Sequence, residues 1–348
     1  MLRTALRDLQ FRRRRFGSAV LGASLIFALS LTVAGLASSF EREVDDTISV
    51  MGVHHWLVAS ASPGPFTGFA PLPDPAASEL AATGIEGEVS PLLIVRQPIG
   101  DGDLRKDAGL IGAEVGSLGS PRTVSSGHTV QADGQAVVSD SAGFDLGSSI
   151  VVGAVTFAVV GTVDATLLAG TTNVFVTLTD AQKVLGVGPV ATVLATGSAA
   201  IDVPNGTREM SDAEVRRATI LPLEDAVGTI DMMRSMLWVV AALIVGSILY
   251  LNAIERSRDV AVFKAIGLSN RDIVGSIVVQ AAIVAVVAAV LANGMAVVLA
   301  PMFPLRCVLT LSSMLMMPVI AVVIALLASV AGIRRALGVS PALAFSGA

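Results

Sequence analysis

Charge is what this sequence lacks most: only 15% of its 348 residues are Asp, Glu, Lys or Arg, and 53% are hydrophobic. Water-soluble domains carry charge on about a quarter of their residues, so a deficit of this size excludes an ordinary soluble chain. There is one cysteine, Cys307, which excludes an internal disulfide. Three histidines, His54, His55 and His128, stand without HExxH or any other metal-ligand spacing. No GxxxxGK[ST] phosphate loop occurs, since Gly267-Leu268-Ser269 has no lysine in register. Neither a Ser/His/Asp set nor a carboxylate pair marks a catalytic centre.

The abundant residues are apolar ones, and they are clustered. Mean hydropathy is +0.75. Gly17–Phe40, Met236–Asn252, Ile273–Ala300 and Leu309–Ile333 each lack Lys, Arg, Asp and Glu. A spanning helix needs about 20 such residues to cross a hydrocarbon core of roughly 30 Å. The pattern therefore predicts four transmembrane helices. Phe16, Phe40, Trp238 and Tyr250 stand at span ends, where headgroup-level rings are favoured.

Net charge is −5, and its distribution sets topology. Arg3, Arg7 and the run Arg12 to Arg15 precede the first span; Arg256, Arg258, Lys264 and Arg271 lie between spans two and three; Arg334 and Arg335 follow span four. Only Arg306 lies between spans three and four. The positive-inside bias then puts both termini and the second-to-third connection in the cytoplasm of a multi-pass cell-membrane protein. The expected organisation is a basic, amphipathic N-terminal helix (1–16), span one (17–40), an outer domain (41–232), span two (233–252), a cytoplasmic helix (253–272), span three (273–300), a short external loop (301–308), span four (309–333) and a cytoplasmic tail (334–348). Leu2, Ala5, Leu6 and Leu9 give the N-terminal helix an apolar stripe that suits a lipid surface.

Residues 41–232 are richer in Gly, Ser, Pro and Asp, and their apolar runs shorten to strand length. Ala136–Ser139, Ser149–Val152, Thr156–Val163 and Asn173–Leu178 read as strands. Thr179–Leu185 reads as a helix with Thr179 as N-cap and Gln182 as its capping-box partner. Ser62–Pro75 reads as a loop. The domain is expected to be α+β and inserted between helices one and two. Asp140 and Asp145 beside Gly143 and Gly147 are read as turn residues rather than a calcium loop. Span one is rich in small residues four apart, such as Ala19/Ala23, Ser24/Ala28 and Ser30/Ala34; homodimer contact and packing within one subunit both use such spacing. Gln280 and Asn293, the strongly polar residues well inside a span, suit hydrogen bonds between helices better than a transport path.

Between spans two and three, Val260, Phe263 and Ile266 recur every three residues, Glu255 and Asp259 share a face, and Gly267 is placed to stop the helix. An apolar stripe on so short a cytoplasmic helix either docks on a partner or packs on the protein's own spans. The stretch resembles the FtsX/MacB-type permease signature of type VII ABC transporters. Glu255, Arg256, Asp259, Val260, Ala261, Phe263, Lys264, Ala265, Ile266, Gly267, Ser269 and Ile273 match it. Arg334-Arg335-Ala336 with Ser340 to Ala344 is similar to that family's ending, although Phe345 stands where leucine is usual. Val159–Val163 with Asn173–Val176 is similar to the MacB-like outer domain.

The resemblance implies a homodimeric permease bound to two copies of a separate ATP-binding subunit. That subunit would hold ATP and Mg, leaving this chain without cofactor, catalytic residue or metal ligand. Glu255, Arg256, Asp259, Val260, Phe263, Lys264, Ile266 and Gly267 would form the helix that docks on the ATPase. The expected work is efflux or extraction of a hydrophobic or amphipathic compound by mechanotransmission, with lipid as surroundings and no nucleic-acid partner. Haem export by the same fold is an alternative, in which Glu41 and Glu43, with His54, His55 and Trp56 nearby, would meet the porphyrin. A further alternative is a non-transporting regulator of an extracellular partner.

The topology is directly testable. In a Cys307→Ser background, His128→Cys should react with an impermeant maleimide on intact cells, and Arg258→Cys only after permeabilisation. The reverse pattern would overturn the orientation.

Overall fold

The computed structural model describes residues 13–73, 76, 89–100, 106–167, 171–198, 203–255, 262, 269–303 and 306–337. Residues 1–12 of the expected N-terminal helix and the tail after Leu337 fall outside them, while Arg13 to Phe16, assigned to that helix, already belong to the first long helix. The chain divides into two compact units, one of Met1–Ser38 with Ala226–Ala348 and one of Ser39–Asp225. Among the described residues, four helices are long and apolar enough to cross a membrane. They are α1 (Arg13–Met51), α4 (Glu224–Glu255), α5 (Asn270–Leu299) and α6 (Leu311–Leu337).

In the helical unit, α5 carries a row of small buried residues, Ala281, Ala285, Ala288, Ala289, Ala292 and Ala296. Their spacing of three and four keeps them on one helical face, and they pack with Ala321, Ile324 and Ala325 of α6 and with Ala23, Phe27 and Leu31 of α1. Small side chains matter here because lipid tails are as apolar as leucine, so association relies on close approach and hydrogen bonds. Part of the small-residue pattern of α1 serves this packing within the subunit. Ser24 Oγ approaches Met295 Sδ at 3.6 Å, and Trp238 Nε1 donates to Ser30 Oγ at 2.9 Å. A Cβ on Gly35 would lie 3.3 Å from Val308 O and Leu309 Cδ2, so the α5–α6 connection passes directly over α1 there. Val308 N donates to Gly35 O at 3.2 Å and Cys307 Sγ to Thr32 O at 3.1 Å. Cys307 thus has a structural partner.

Proline at position 318 lies inside α6. Lacking an N–H, it leaves the carbonyl four residues back, that of Met314, without its helical donor. Asn293 Nδ2 of α5 donates to that same oxygen at 3.0 Å. The polar side chain and the helix-breaking residue are therefore one arrangement, because a bare carbonyl in hydrocarbon would cost several kcal/mol.

The other unit is a mixed sheet with helices. Its strands are β1 (His55–Ala59), β2 (Val89–Ile99), β3 (Lys106–Ala113), β4 (Ser126–Gly127), β5 (Gln135–Ser139), β6 (Ser149–Val152), β7 (Val155–Val163), β8 (Thr166–Leu167), β9 (Thr171–Thr177), β10 (Val193–Thr196) and β11 (Thr207–Ser211). The order is β11-β1-β10-β2-β3-β9-β5-β7-β4, with β6 and β8 on side branches. Strands β3/β9 and β5/β7 run parallel and the other pairs antiparallel. Among the described residues, the helices α2 (Leu178–Leu185) and α3 (Asp212–Ile220) pack in this unit. The fold class is the expected one: membrane helices with an α+β domain inserted between the first and second.

Both faces of the sheet are covered. Leu92 and Ile94 of β2, Ile111 of β3, Val137 of β5 and Phe175 of β9 enter one core, together with Val44, Ile48 and Met51 of α1 and Val215 of α3. Their neighbours Leu93, Leu110, Val138, Val174 and Val176 enter a second core with Ala181 of α2. Side chains alternate between faces along a strand. Burial on both faces therefore explains why these strands read as continuous apolar runs rather than alternating ones.

Three local expectations need correction. The apolar run ends at Phe40, but α1 continues to Met51. Nothing from Glu41 to Met51 breaks a helix, and the stop is Gly52, whose φ of 62° lies in the left-handed region that glycine favours. The cap of α2 is Thr177, not Thr179: its Oγ1 accepts from Asp180 N at 3.2 Å. Gln182 instead donates to Val190 O at 3.1 Å, and the preceding strand ends at Thr177 rather than Leu178. Asp140 and Gly143, by contrast, form the turn expected of them, with Asp140 Oδ2 accepting from Ser125 Oγ at 2.8 Å and Gly143 at φ 77°.

The α5–α6 pin can be checked by a double-mutant cycle on the detergent-solubilised protein. Asn293→Leu should cost about 1–2 kcal/mol. In a Pro318→Ala background, position 318 regains its N–H, and the same substitution should cost only a few tenths of a kcal/mol. Equal costs in both backgrounds would show that Asn293 does not serve the carbonyl freed by Pro318.

Candidate functional site

The connection expected on the basis of its charges to face the cytoplasm runs between the end of α4 at Glu255 and the start of α5 at Asn270. Glu255 and Val262 are exposed. Arg256, Asp259, Val260, Phe263, Lys264, Ile266 and Gly267 lie outside the described residues. The bracketing helices are nevertheless well defined by sequence: α4 ends where the apolar run gives way to charge, and α5 begins at Asn270, directly after Ser269, with Ile273 N donating to Ser269 O at 3.4 Å.

On the outer unit, the carboxylates proposed for a porphyrin do not converge. Glu41 is exposed and Glu43 is buried, being only 2% accessible. Two residues apart on a helix means about 200° of rotation, so the pair cannot face one ligand from α1. His54, His55 and Trp56, which follow α1, are each held by an acidic residue near β11. His55 Nδ1 lies 2.8 Å from Glu209 Oε1, and His54 Nδ1 lies 3.1 Å from Asp212 Oδ2. Trp56, fully buried, donates through Nε1 to Asp212 Oδ1 at 2.9 Å. A buried indole N–H requires such a partner.

Asp212 is held in place by the start of its helix. Glu214 Oε2 accepts from both Ser211 N at 2.8 Å and Ser211 Oγ at 2.9 Å. These hydrogen bonds, the backbone one first, hold the Glu214 carboxyl below the usual carboxylate range. Along α3, Arg216 pairs with Asp45 of α1. Between these two helix segments runs a groove of about 830 Å3 lined by Asp45, His54, Asp212, Arg216, Arg217 and Glu224 among others. Its charges are of both signs and several are already paired, so it is organised as an interhelical seam. Sequence reasoning passed over Glu209, Asp212 and Arg216; the Ser211-Asp-Ala-Glu214 capping pattern was the signal that could have located α3.

A second polar cluster fixes α2. Lys183 Nζ contacts Asp180 Oδ1 at 2.9 Å and Asp133 Oδ2 at 3.1 Å. The Thr177 hydroxyl, 2.7 Å from Asp133 Oδ1, and then Lys183 hold the Asp133 carboxyl below its usual range. Asp180 Oδ2 accepts from Gly134 N at 2.6 Å. Among the described residues no group of three or more His, Cys, Asp or Glu is placed to hold a metal.

Depressed carboxyl pKa values mean that Glu214 and Asp133 contribute stability above their unfolded pKa, and that this is lost as pH falls through the folded values. Glu214→Ala should cost about 1 kcal/mol near neutral pH. Glu214→Gln should flatten the loss of stability between about pH 5 and 3. Thermal unfolding followed by Trp56 emission in a Trp238→Phe background measures both, and an unchanged acid limb in Glu214→Gln would refute the assignment.

Comparison with known proteins now bears on the whole chain. Residues 232–341 match the FtsX-like permease C-terminal family, a span that includes the α4–α5 connection. An uncharacterized ABC transporter permease of Mycobacterium bovis and two of Mycobacterium tuberculosis are each 38% identical over 349 residues, covering 100% of this chain and 100% of the relative. Among solved structures, the extracellular domain of the noncanonic ABC-type transporter YknZ from Gram-positive bacteria is similar with 12% identity and a TM-score of 0.34, covering 46% of this chain and 100% of that one. The periplasmic region of MacB from Actinobacillus actinomycetemcomitans gives 12% identity and a TM-score of 0.35, covering 51% of this chain and 96% of that one. Full-length identity at this level, with the permease domain falling on the last three spanning helices, makes this chain a member of the FtsX-like family of ABC transporter permeases.

Proposed function

We propose that the chain is the membrane subunit of an ABC transporter that performs no ATP hydrolysis itself and couples to hydrolysis by a separate nucleotide-binding subunit. A permease of this family implies an ATP-binding partner, and the sequence has no phosphate loop of its own. In this reading two permease copies pair and two ATPase copies bind from the cytoplasm of the cell membrane, ATP and Mg residing in the ATPase. The segment from Glu255 to Gly267 receives the closing motion of the nucleotide-binding subunits. The observation that carries the reading is the permease-family match over 232–341, which spans this segment together with the helices on either side of it.

The work delivered is extraction or efflux of an apolar or amphipathic compound rather than conduction of a polar one. Support comes from the bundle interior. Alanines line the α5 seam, and Asn293 is committed to the Met314 carbonyl. Ionisable groups that would mark a polar path through a membrane are missing from the apolar stretches of α1, α4, α5 and α6. Haem export has less support, since Glu41 and Glu43 lie on opposite sides of α1 and the adjacent histidines have acidic partners.

The purified chain should show no ATPase activity above background, and co-expression with its cognate ATP-binding subunit should give a complex that hydrolyses ATP. Phe263→Ala removes the bulkiest apolar side chain of the coupling segment. It should weaken assembly by about 2 kcal/mol, roughly thirty-fold in affinity, or uncouple hydrolysis, while leaving the melting temperature of the isolated permease unchanged. A clear drop in melting temperature with unchanged complex affinity and coupling would show that Phe263 packs internally, and robust hydrolysis by the chain alone would refute the division of labour.

A further inference from the structure

A second groove in the outer unit has a different composition from the charged seam between α1 and α3. It encloses about 670 Å3, within the size range of small-molecule sites. Phe66 and Phe69 from the loop after β1, Ile94 from β2, and Pro222 with Leu223 from the short turn after α3 give it apolar walls. Phe66 is itself buried and meets Trp56 edge-on at 5.7 Å, so that wall is braced by the core. Phe69 is 47% exposed, an uncommon position for a large aromatic side chain.

Arg96 of β2 is the one charged side chain among the described residues of the lining. It is exposed, and among the described residues no carboxylate pairs with it. Its cross-strand partner is Gly109, which also lines the groove and offers no side chain to cover the guanidinium stem. The contrast with the larger groove is in charge balance. There Asp45 meets Arg216 and Asp212 meets His54; here, among the described residues, a cation stands without a counter-ion above an apolar floor. A guanidinium binds carboxylate or phosphate through paired, charge-assisted hydrogen bonds, and the aromatic walls suit an alkyl chain.

We infer that this groove is a binding site for an anionic amphiphile, whose acidic head pairs with Arg96 and whose hydrocarbon tail lies against Phe66, Phe69 and Leu223. The inference rests on the reading of the chain as a permease for amphipathic compounds and gives that compound a charge and a first contact on the outer domain.

The test uses the full-length permease in nanodiscs, with a Trp238→Phe substitution so that Trp56 reports alone from behind Phe66. Dibromostearate, whose bromines quench at short range, should quench Trp56 saturably. Arg96→Gln should raise the half-saturating concentration about tenfold, and the neutral dibromostearyl alcohol should quench Trp56 no better than that variant does with the acid. Equal curves for acid and alcohol would mean a neutral apolar ligand or simple partitioning and would overturn the inference; so would equal curves for wild type and Arg96→Gln, or quenching that never saturates. Retention of tritiated palmitate by wild type and Arg96→Gln, counted after size exclusion, repeats the comparison without altering a tryptophan. ATPase assays on the complex keep the two readings apart. ATP hydrolysis by an intact complex with no Arg96-dependent binding sinks the site alone. Arg96-dependent binding without any ATP-hydrolysing complex sinks the permease reading and leaves the site standing.

Discussion

Hydrocarbon offers no water to replace a lost hydrogen bond, and the helical unit is organised by that constraint. A proline in α6 is tolerated because Asn293 of the neighbouring helix takes over the carbonyl that Pro318 leaves bare. The same logic accounts for Trp238 on Ser30 and for Cys307 on Thr32: each polar hydrogen near the bundle is given a defined oxygen. Close approach is the other half of the arrangement. The alanine row of α5 and Gly35 of α1 bring backbones near enough for dispersion and for these hydrogen bonds to form, where bulkier side chains would hold the helices apart.

The outer unit solves a different problem, since it faces water and must bury a sheet on both sides. One core takes the alternate residues of β2, β3, β5 and β9 together with the end of α1, and the other takes their neighbours together with α2. Charged groups are placed where the helices begin and where they meet one another. Glu214 and Asp133 are stabilised as anions by donors from the ends of the elements they join. Among the described residues, Arg96 stands outside this scheme of mutual satisfaction, which is why it reads as a group with something external to bind.

Legibility from sequence followed the strength of each physical signal. Spans were plain because a run of about twenty uncharged apolar residues has few other uses. Ser149–Val152 was read with its observed bounds, and Thr156–Val163 missed only its first residue. β2 escaped notice because Pro91, Arg96 and Pro98 interrupt its apolar pattern, although the strand covers eleven residues. Hydropathy placed the end of span one at Phe40, yet hydropathy reports the solvent and not the backbone, and a charged sequence free of Gly and Pro kept α1 helical to Met51. The histidine partners could not be read at all. His55 and Glu209 are brought together only by the pairing of β1 with β11, a contact across 154 residues of sequence. The connection between α4 and α5 was legible as a motif, and the family match over 232–341 spans it.

Strand β2 has a consequence for how the outer unit melts. Its first residues, Val89 to Leu92, pair with β10, and the remainder, Leu93 to Ile99, pair with β3. Leu92 and Ile94 belong to one core while Leu93 and Ile99 belong to the other. A shift of one residue in this strand would exchange the faces of all four side chains at once. Neither half of the sheet can therefore choose its register independently, and the two cores are coupled through this one strand. The unit is wired for cooperativity: this connectivity favours a single transition over a half-folded species that retains one core.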